Sequence, residues 1–102
     1  MILTGRAIAE DCLRRHRDRA NINACRNQFA AWRRATEEAE WNSFVDVKAR
    51  FGTADLVGDR VVFNICGNNY RLVARIDFQA GTVEIRFFDI HDAYNDIDVR
   101  TV

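Results

Sequence analysis

The stretch NICGNNYRLVARIDF, residues 64 to 78, sets Arg71 and Arg75 four residues apart in a run that alternates apolar and polar side chains. On a strand, residues two apart share a face, so both arginines project from one side and Tyr70, Leu72, Ala74 and Ile76 from the other. A guanidinium holds phosphate or carboxylate through a planar pair of N–H donors and stays charged at any physiological pH. Of the 15 basic residues, 14 are arginine and only Lys48 is lysine. That excess fits anion recognition, and it also fits a GC-rich genome that trades lysine codons for arginine codons. Where each arginine sits in the fold has to decide between them.

The other side chains with chemical potential are three cysteines, Cys12, Cys25 and Cys66. They are odd in number, with no CxxC pair and no expected Cys/His ligand spacing, so they read as reduced thiols in or near the core of a cytosolic protein. No metal site and no other cofactor is expected from them.

A chain of 102 residues with 48% hydrophobic content and no proline is expected to form one domain, residues 1–102, around one core. Its 15 basic and 15 acidic residues cancel. Residues 1–51 carry ten basic and seven acidic side chains and residues 52–102 carry five and eight, so no polybasic tail exists and any contact with nucleic acid must come from local placement of charge. The sequence shows no apolar run long enough for a membrane span and no secretory segment, which points to a soluble, cytoplasmic protein with no membrane partner.

The elements that must position the arginines follow from periodicity. MIL is a plausible first strand. Thr4 can cap a helix over roughly residues 5–18 with Ile8 and Cys12 inward and Arg14, Arg15, Arg17 and Arg19 outward. Asn21 or Asn23 opens a second helix whose Ile22, Cys25, Phe29 and Trp32 recur at steps of three, four and three, a buried stripe closed by RRATEEAE. Ser43 starts a short third helix with Asp46 in a capping-box relation and Gly52 as its stop.

From Arg60 the period changes to two. A Gly67-Asn68 loop of type II′ would set Ile65 opposite Tyr70, Phe63 opposite Leu72 and Val61 opposite Ala74, which gathers the apolar residues on one face. For Val83, Ile85 and Phe87 of a third strand to join that face, the next loop must hold an even number of residues, most simply Phe78 to Gly81 with Gly81 left-handed, and Arg75 then faces Glu84. The opposite face reads Arg60, Asn64, Arg71, Arg75, Glu84, Arg86 and Phe88, with Val62 and Val73 between. With helices over the apolar face, this one would lie open, fitted either to a polyanion whose bases stack on Phe88 or to ordinary solvation with an Arg75–Glu84 pair. The fold class is α+β, N-terminal helices on one face of a mainly antiparallel sheet.

The segments VVFNICGNNYRLVARIDF, IRFFDIHDAYNDID and VDVKARFGTADLVGDR resemble the HigB-type toxins of the RelE-like superfamily, from about Trp32 onward. The resemblance implies a small RelE-like domain and a toxin of a type II toxin-antitoxin module. Its implied activity is metal-independent endoribonuclease cleavage of mRNA at the ribosome, by attack of a ribose 2′-hydroxyl on its own phosphodiester. It also implies neutralisation by a cognate helix-turn-helix (HigA-like) antitoxin. On this chain it maps phosphate stabilisation to Arg71, proton transfer to His91, stacking or proton transfer to Tyr94, and RNA backbone contacts to Lys48 and Arg50. The family's usual Thr-His-x-x-Tyr-Asp ending appears here with Ile90 and Asn95 in place of the threonine and aspartate. His91 can equally brace the turn after the last strand, and Tyr94 can serve as a core lid. The other readings are a noncatalytic RNA- or ribosome-binding domain, or an inactive toxin relative that binds an antitoxin.

Overall fold

In the computed structural model, which describes residues 1–102, the chain runs β1 (Ile2–Thr4), α1 (Arg6–Arg15), α2 (Ile22–Glu38), α3 (Phe44–Arg50), β2 (Asp55–Val57), β3 (Arg60–Ile65), β4 (Tyr70–Asp77), β5 (Thr82–Ile90) and α4 (His91–Tyr94). The five strands form one sheet in the order β1-β5-β4-β3-β2. Only β1 and β5 pair in parallel; the other neighbours are antiparallel. No helix is long and apolar enough to cross a membrane.

The α2 stripe is buried as its spacing predicts, with Ile22, Cys25, Phe29 and Trp32 inward and the stripe continuing to Thr36. Its rings build the core against the sheet: Trp32 meets Phe63 edge-on at 5.3 Å and Phe29 meets Phe88 edge-on at 5.5 Å. In α1 the buried residues are Ala9, Cys12 and Leu13. Ile8, expected inward, is 39% exposed, because the inward face follows Ala9, Cys12 and Leu13 one position further on.

Thr4 does not cap α1. It lies in β1 opposite Glu84, and the helix starts after Gly5, whose φ is +83°. A side chain at Gly5 would bring its Cβ to 2.5 Å from the Ile85 carbonyl oxygen, so only glycine lets the chain turn from β1 into α1 while packed on β5. Ser43 is the residue before α3, but its side chain makes no capping bond, and the Asp46 carboxylate accepts the Asn42 N–H at 2.8 Å, one residue before the position a capping box uses.

The β3–β4 register matches the sequence reading at all three pairs: Ile65↔Tyr70, Phe63↔Leu72 and Val61↔Ala74. The turn between Ile65 and Tyr70 uses more than a single left-handed glycine. Cys66 (φ 59°) is left-handed as well as Gly67 (φ 63°). Cys66 is clamped there by Gln28, which accepts its N–H at 2.9 Å, and by Asn69, which donates to its carbonyl from the backbone at 3.2 Å and from the side chain at 2.9 Å. The β4–β5 loop is as predicted, with Gly81 at φ 75° and Arg75 opposite Glu84.

The departure lies in β5. Ala74 pairs with Ile85 and Val73 with Phe87, so Arg86 is an extra residue in a β-bulge. The bulge inverts everything after it. Phe88, expected on the open face, is 2% exposed in the core, stacked on Tyr70 at 5.3 Å, and Phe87 takes the opposite face.

That opposite face is also less open than expected. Val62 and Val73 lie on it, outside the main core cluster, and both are buried. The segment after α4 returns across it: the Val102 carbonyl oxygen accepts from Arg60 at 2.8 and 3.2 Å and from Arg86 Nε at 3.2 Å. Removing each valine from water contributes about 1.5–3 kcal/mol, which explains why the segment lies on the sheet instead of leaving the face bare.

Candidate active site

The site is assembled where the β3–β4 turn meets the end of β5. The hairpin sets Arg71 opposite Asn64 on one side and opposite Asp89 on the other. Strand β5 runs directly into α4, and the His91 N–H donates to the Asn69 carbonyl at 3.1 Å, which fixes the start of α4 to the turn. Within one helical turn, Tyr94 then returns over the sheet, with ring centroids 6.5 Å from His91 and 6.4 Å from Phe87.

Arg71 completes the group. Its guanidinium carbon lies 5.9 Å from the centre of the Tyr94 ring, within cation–π range. Its nitrogens donate weakly, to the Tyr70 carbonyl at 3.3 Å and to Asn68 Oδ1 at 3.4 Å. It has no carboxylate within salt-bridge distance. Asp89, the acid across the strand, is turned away: its Oδ2 faces Arg15 at 3.7 Å and its Oδ1 faces the Cys12 thiol at 3.7 Å. The Asn95 amide, in the place where the resembled family has aspartate, reaches His91 Nδ1 at 3.3 Å, so it can orient the ring and brings no charge to it.

The three residues mapped to catalysis therefore stand together, and the proposed RNA contacts divide. Arg50 lies over the Phe51 ring at 4.8 Å and shares a cleft of about 250 Å³ with Asn64, Gln28 and Trp32. Since Asn64 is the cross-strand partner of Arg71, this cleft adjoins the Arg71 group. Lys48 is exposed, with its ammonium bound to the Ala54 carbonyl at 2.8 Å.

The three other arginines assigned to RNA, Arg60, Arg75 and Arg86, are occupied. Arg60, expected at the surface, is 8% exposed, bonded to Asp59 at 2.6 Å and to Val102. Arg86 pairs with Glu84 at 3.3 Å as well as with Val102. Arg75 faces Asp59 at 3.8 Å in a cleft of about 430 Å³ that Asp77 and Glu84 also line, an acidic setting that repels a polyanion. Phe88 is core, and the exchangeable aromatic on this face is Phe87.

One cluster escaped the sequence reading. Cys12 and His16 stand four residues apart at the end of α1, so their side chains share a face, and Asp89 of β5 joins them. The i,i+4 spacing was present in the sequence; Asp89, 77 residues away from Cys12, was not linkable to it. All three cysteines are free and buried. Burial, and then Asp89, pushes the Cys12 thiol up to about 12, and burial with neighbouring Cys66 does the same for Cys25.

Comparison with known families adds an independent finding. A family model described as HigB_toxin, RelE-like toxic component of a toxin-antitoxin system, matches residues 25–97, which includes every residue of the Arg71 group. Comparison with curated proteins gives no match. The matched segment runs from within α2 through α4 and takes in all but the first strand of the sheet, and the chain belongs to the HigB family of RelE-like toxins.

Proposed function

We propose that this toxin is a metal-independent endoribonuclease that cuts mRNA on the ribosome and is neutralised by a cognate helix-turn-helix antitoxin. The observation that carries the reading is Arg71: a half-buried guanidinium, free of any carboxylate, laid against Tyr94 at 5.9 Å beside His91. A guanidinium neutralised by an acid binds phosphate poorly, whereas an unpaired one held by an aromatic face is ready for it.

The chemistry follows from what the reaction demands. The ribose 2′-oxygen must lose its proton as it attacks the adjacent phosphorus, the phosphorane gathers negative charge, and the leaving 5′-oxygen must gain a proton. Arg71 supplies the fixed charge for the phosphorane. His91 moves a proton, oriented by the Asn95 amide. Tyr94 stacks on a base or takes part in proton transfer, and Phe87 extends the aromatic surface. Arg50 and Asn64 hold the flanking backbone in the adjoining cleft, with Lys48 as an outer contact.

The test is reconstitution. Purified protein is added to ribosomes translating a defined mRNA and the fragments are mapped by primer extension. New ends that depend on the toxin and vanish with its antitoxin support the reading. Stable binding to ribosomes or RNA with no new ends points instead to a noncatalytic RNA-binding toxin.

A further inference from the structure

The Cys12, His16 and Asp89 cluster plays no part in the chemistry above, and its geometry is specific. Cys12 Sγ lies 3.4 Å from His16 Nδ1 and 3.7 Å from Asp89 Oδ1. All three ligand atoms fall within 4.8 Å of one another. Zinc bonds of about 2.3 Å to sulfur and 2.0–2.1 Å to nitrogen or oxygen, at tetrahedral angles, require sulfur-to-ligand separations of about 3.5 Å. Both sulfur distances match that figure within about 0.2 Å, and the His16–Asp89 pair, within 4.8 Å of each other, closes to about 3.3 Å on binding.

We infer that Cys12, His16 and Asp89 form a binding site for one divalent transition cation of the zinc type, with the fourth position open to water. The charges balance: a dication with one thiolate and one carboxylate is neutral, which a site with one buried and two half-buried ligands tolerates. The Cys12 thiol proton leaves to solvent on binding. His16 Nδ1, 2.9 Å from the Cys12 carbonyl, gives up that contact and coordinates as the tautomer protonated on Nε2.

The surroundings already hold the ligands in place. The Ile90 N–H donates to Asp89 Oδ1 at 2.8 Å, and Arg15 faces the other carboxylate oxygen, so both atoms of the carboxylate are oriented. The His16 ring packs edge-on against Tyr70 at 5.9 Å. Tyr70 is 0% exposed and its hydroxyl makes no hydrogen bond, an orphaned polar group beside the cluster for which a metal-bound water is a suitable partner. The cation would tie the end of α1 to β5 two residues before His91, a structural clamp behind the Arg71 group with no role in bond cleavage.

The experiment uses Co²⁺ as the probe on the purified, reduced, metal-stripped protein. Titration is expected to give one equivalent of tetrahedral cobalt with a sulfur-to-cobalt charge-transfer band, displaced by Zn²⁺. Cys12→Ser should abolish the band, and His16→Ala and Asp89→Asn should each weaken binding at least tenfold. Cys25→Ser and Cys66→Ser should leave it intact. Since Cys12 is buried and its replacement could unfold the chain, the partly exposed His16→Ala decides in that event, with circular dichroism confirming its fold. Absence of a stoichiometric site, retention of full affinity in His16→Ala, or loss of the band in Cys25→Ser or Cys66→Ser would overturn the assignment.

Discussion

Replacing Arg71 by alanine separates function from folding, because the structure gives the side chain little to do for stability. It would remove two hydrogen bonds at the long end of the range, 3.3 and 3.4 Å, and a cation–π contact at 5.9 Å. Each hydrogen bond contributes about 0.5 kcal/mol and the ring contact about 0.5–1 kcal/mol, so the loss should be about 1.5–2 kcal/mol. No carboxylate is stranded by the change, which keeps the cost at that level. A domain of this size is held by about 5–15 kcal/mol, so the variant stays folded. Cleavage should fall about 10²- to 10³-fold, the loss expected when one fixed charge is taken from a developing oxyanion. Arg71→Lys, which keeps the charge without the planar fork, should fall between. The measurements are urea unfolding and cleavage on translating ribosomes, normalised to folded protein. A loss of stability above about 3 kcal/mol with cleavage unchanged per folded molecule would refute the reasoning and make Arg71 structural.

The bulge at Arg86 predicts that Phe88→Ala costs about 3–5 kcal/mol in urea unfolding, whereas Phe87→Ala costs less than half as much and lowers cleavage; equal costs would contradict the inverted register. Arg60→Gln should cost about 1–3 kcal/mol, since it strips a largely buried group from Val102, while leaving the salt dependence of RNA binding unchanged; a slope smaller by about one would make Arg60 a phosphate contact. Cys12 and Cys25 carry folded-state values pushed up to about 12 from 9.0, so the stability they confer is complete below pH 9 and is lost as pH rises toward 12. Urea midpoints at pH 8 and pH 11 should fall less steeply in Cys25→Ala than in the parent, and identical slopes would show that the thiol titrates freely.

How legible these features were depends on the range of the interaction behind each. The α2 stripe and the β3–β4 register are local patterns, a 3.6-residue period and a two-residue alternation hinged on Gly67, and both appear as read. The strand Asp55–Val57 is only three residues long, too short for a period to show. The bulge was hidden because Phe87 and Phe88 are adjacent and identical in type, so either can serve the core, and only the packing of Phe88 between Phe29 and Tyr70 selects one. The sorting of the arginines was hidden for a different reason. Arg60 and Arg86 are spent on Val102, and Arg71 is left free because Asp89 turns toward Arg15, and all of these are contacts between distant parts of the chain. The grouping of Arg71, His91 and Tyr94 was reached through the family resemblance and the hairpin register together, and the geometry brings them to one place.

The measurement that bears most directly on the proposed chemistry is the identity of the RNA ends. Attack by the 2′-hydroxyl leaves a 2′,3′-cyclic phosphate or 3′-phosphate on one fragment and a 5′-hydroxyl on the other, whereas metal-assisted hydrolysis by water leaves a 5′-phosphate. Fragments released from translating ribosomes can be tested with polynucleotide kinase, which labels a 5′-hydroxyl directly and a 5′-phosphate only after phosphatase treatment. Direct labelling of the downstream fragment, with a cyclic or 3′-phosphate on its upstream partner, is the predicted result; downstream fragments that label only after phosphatase would contradict it.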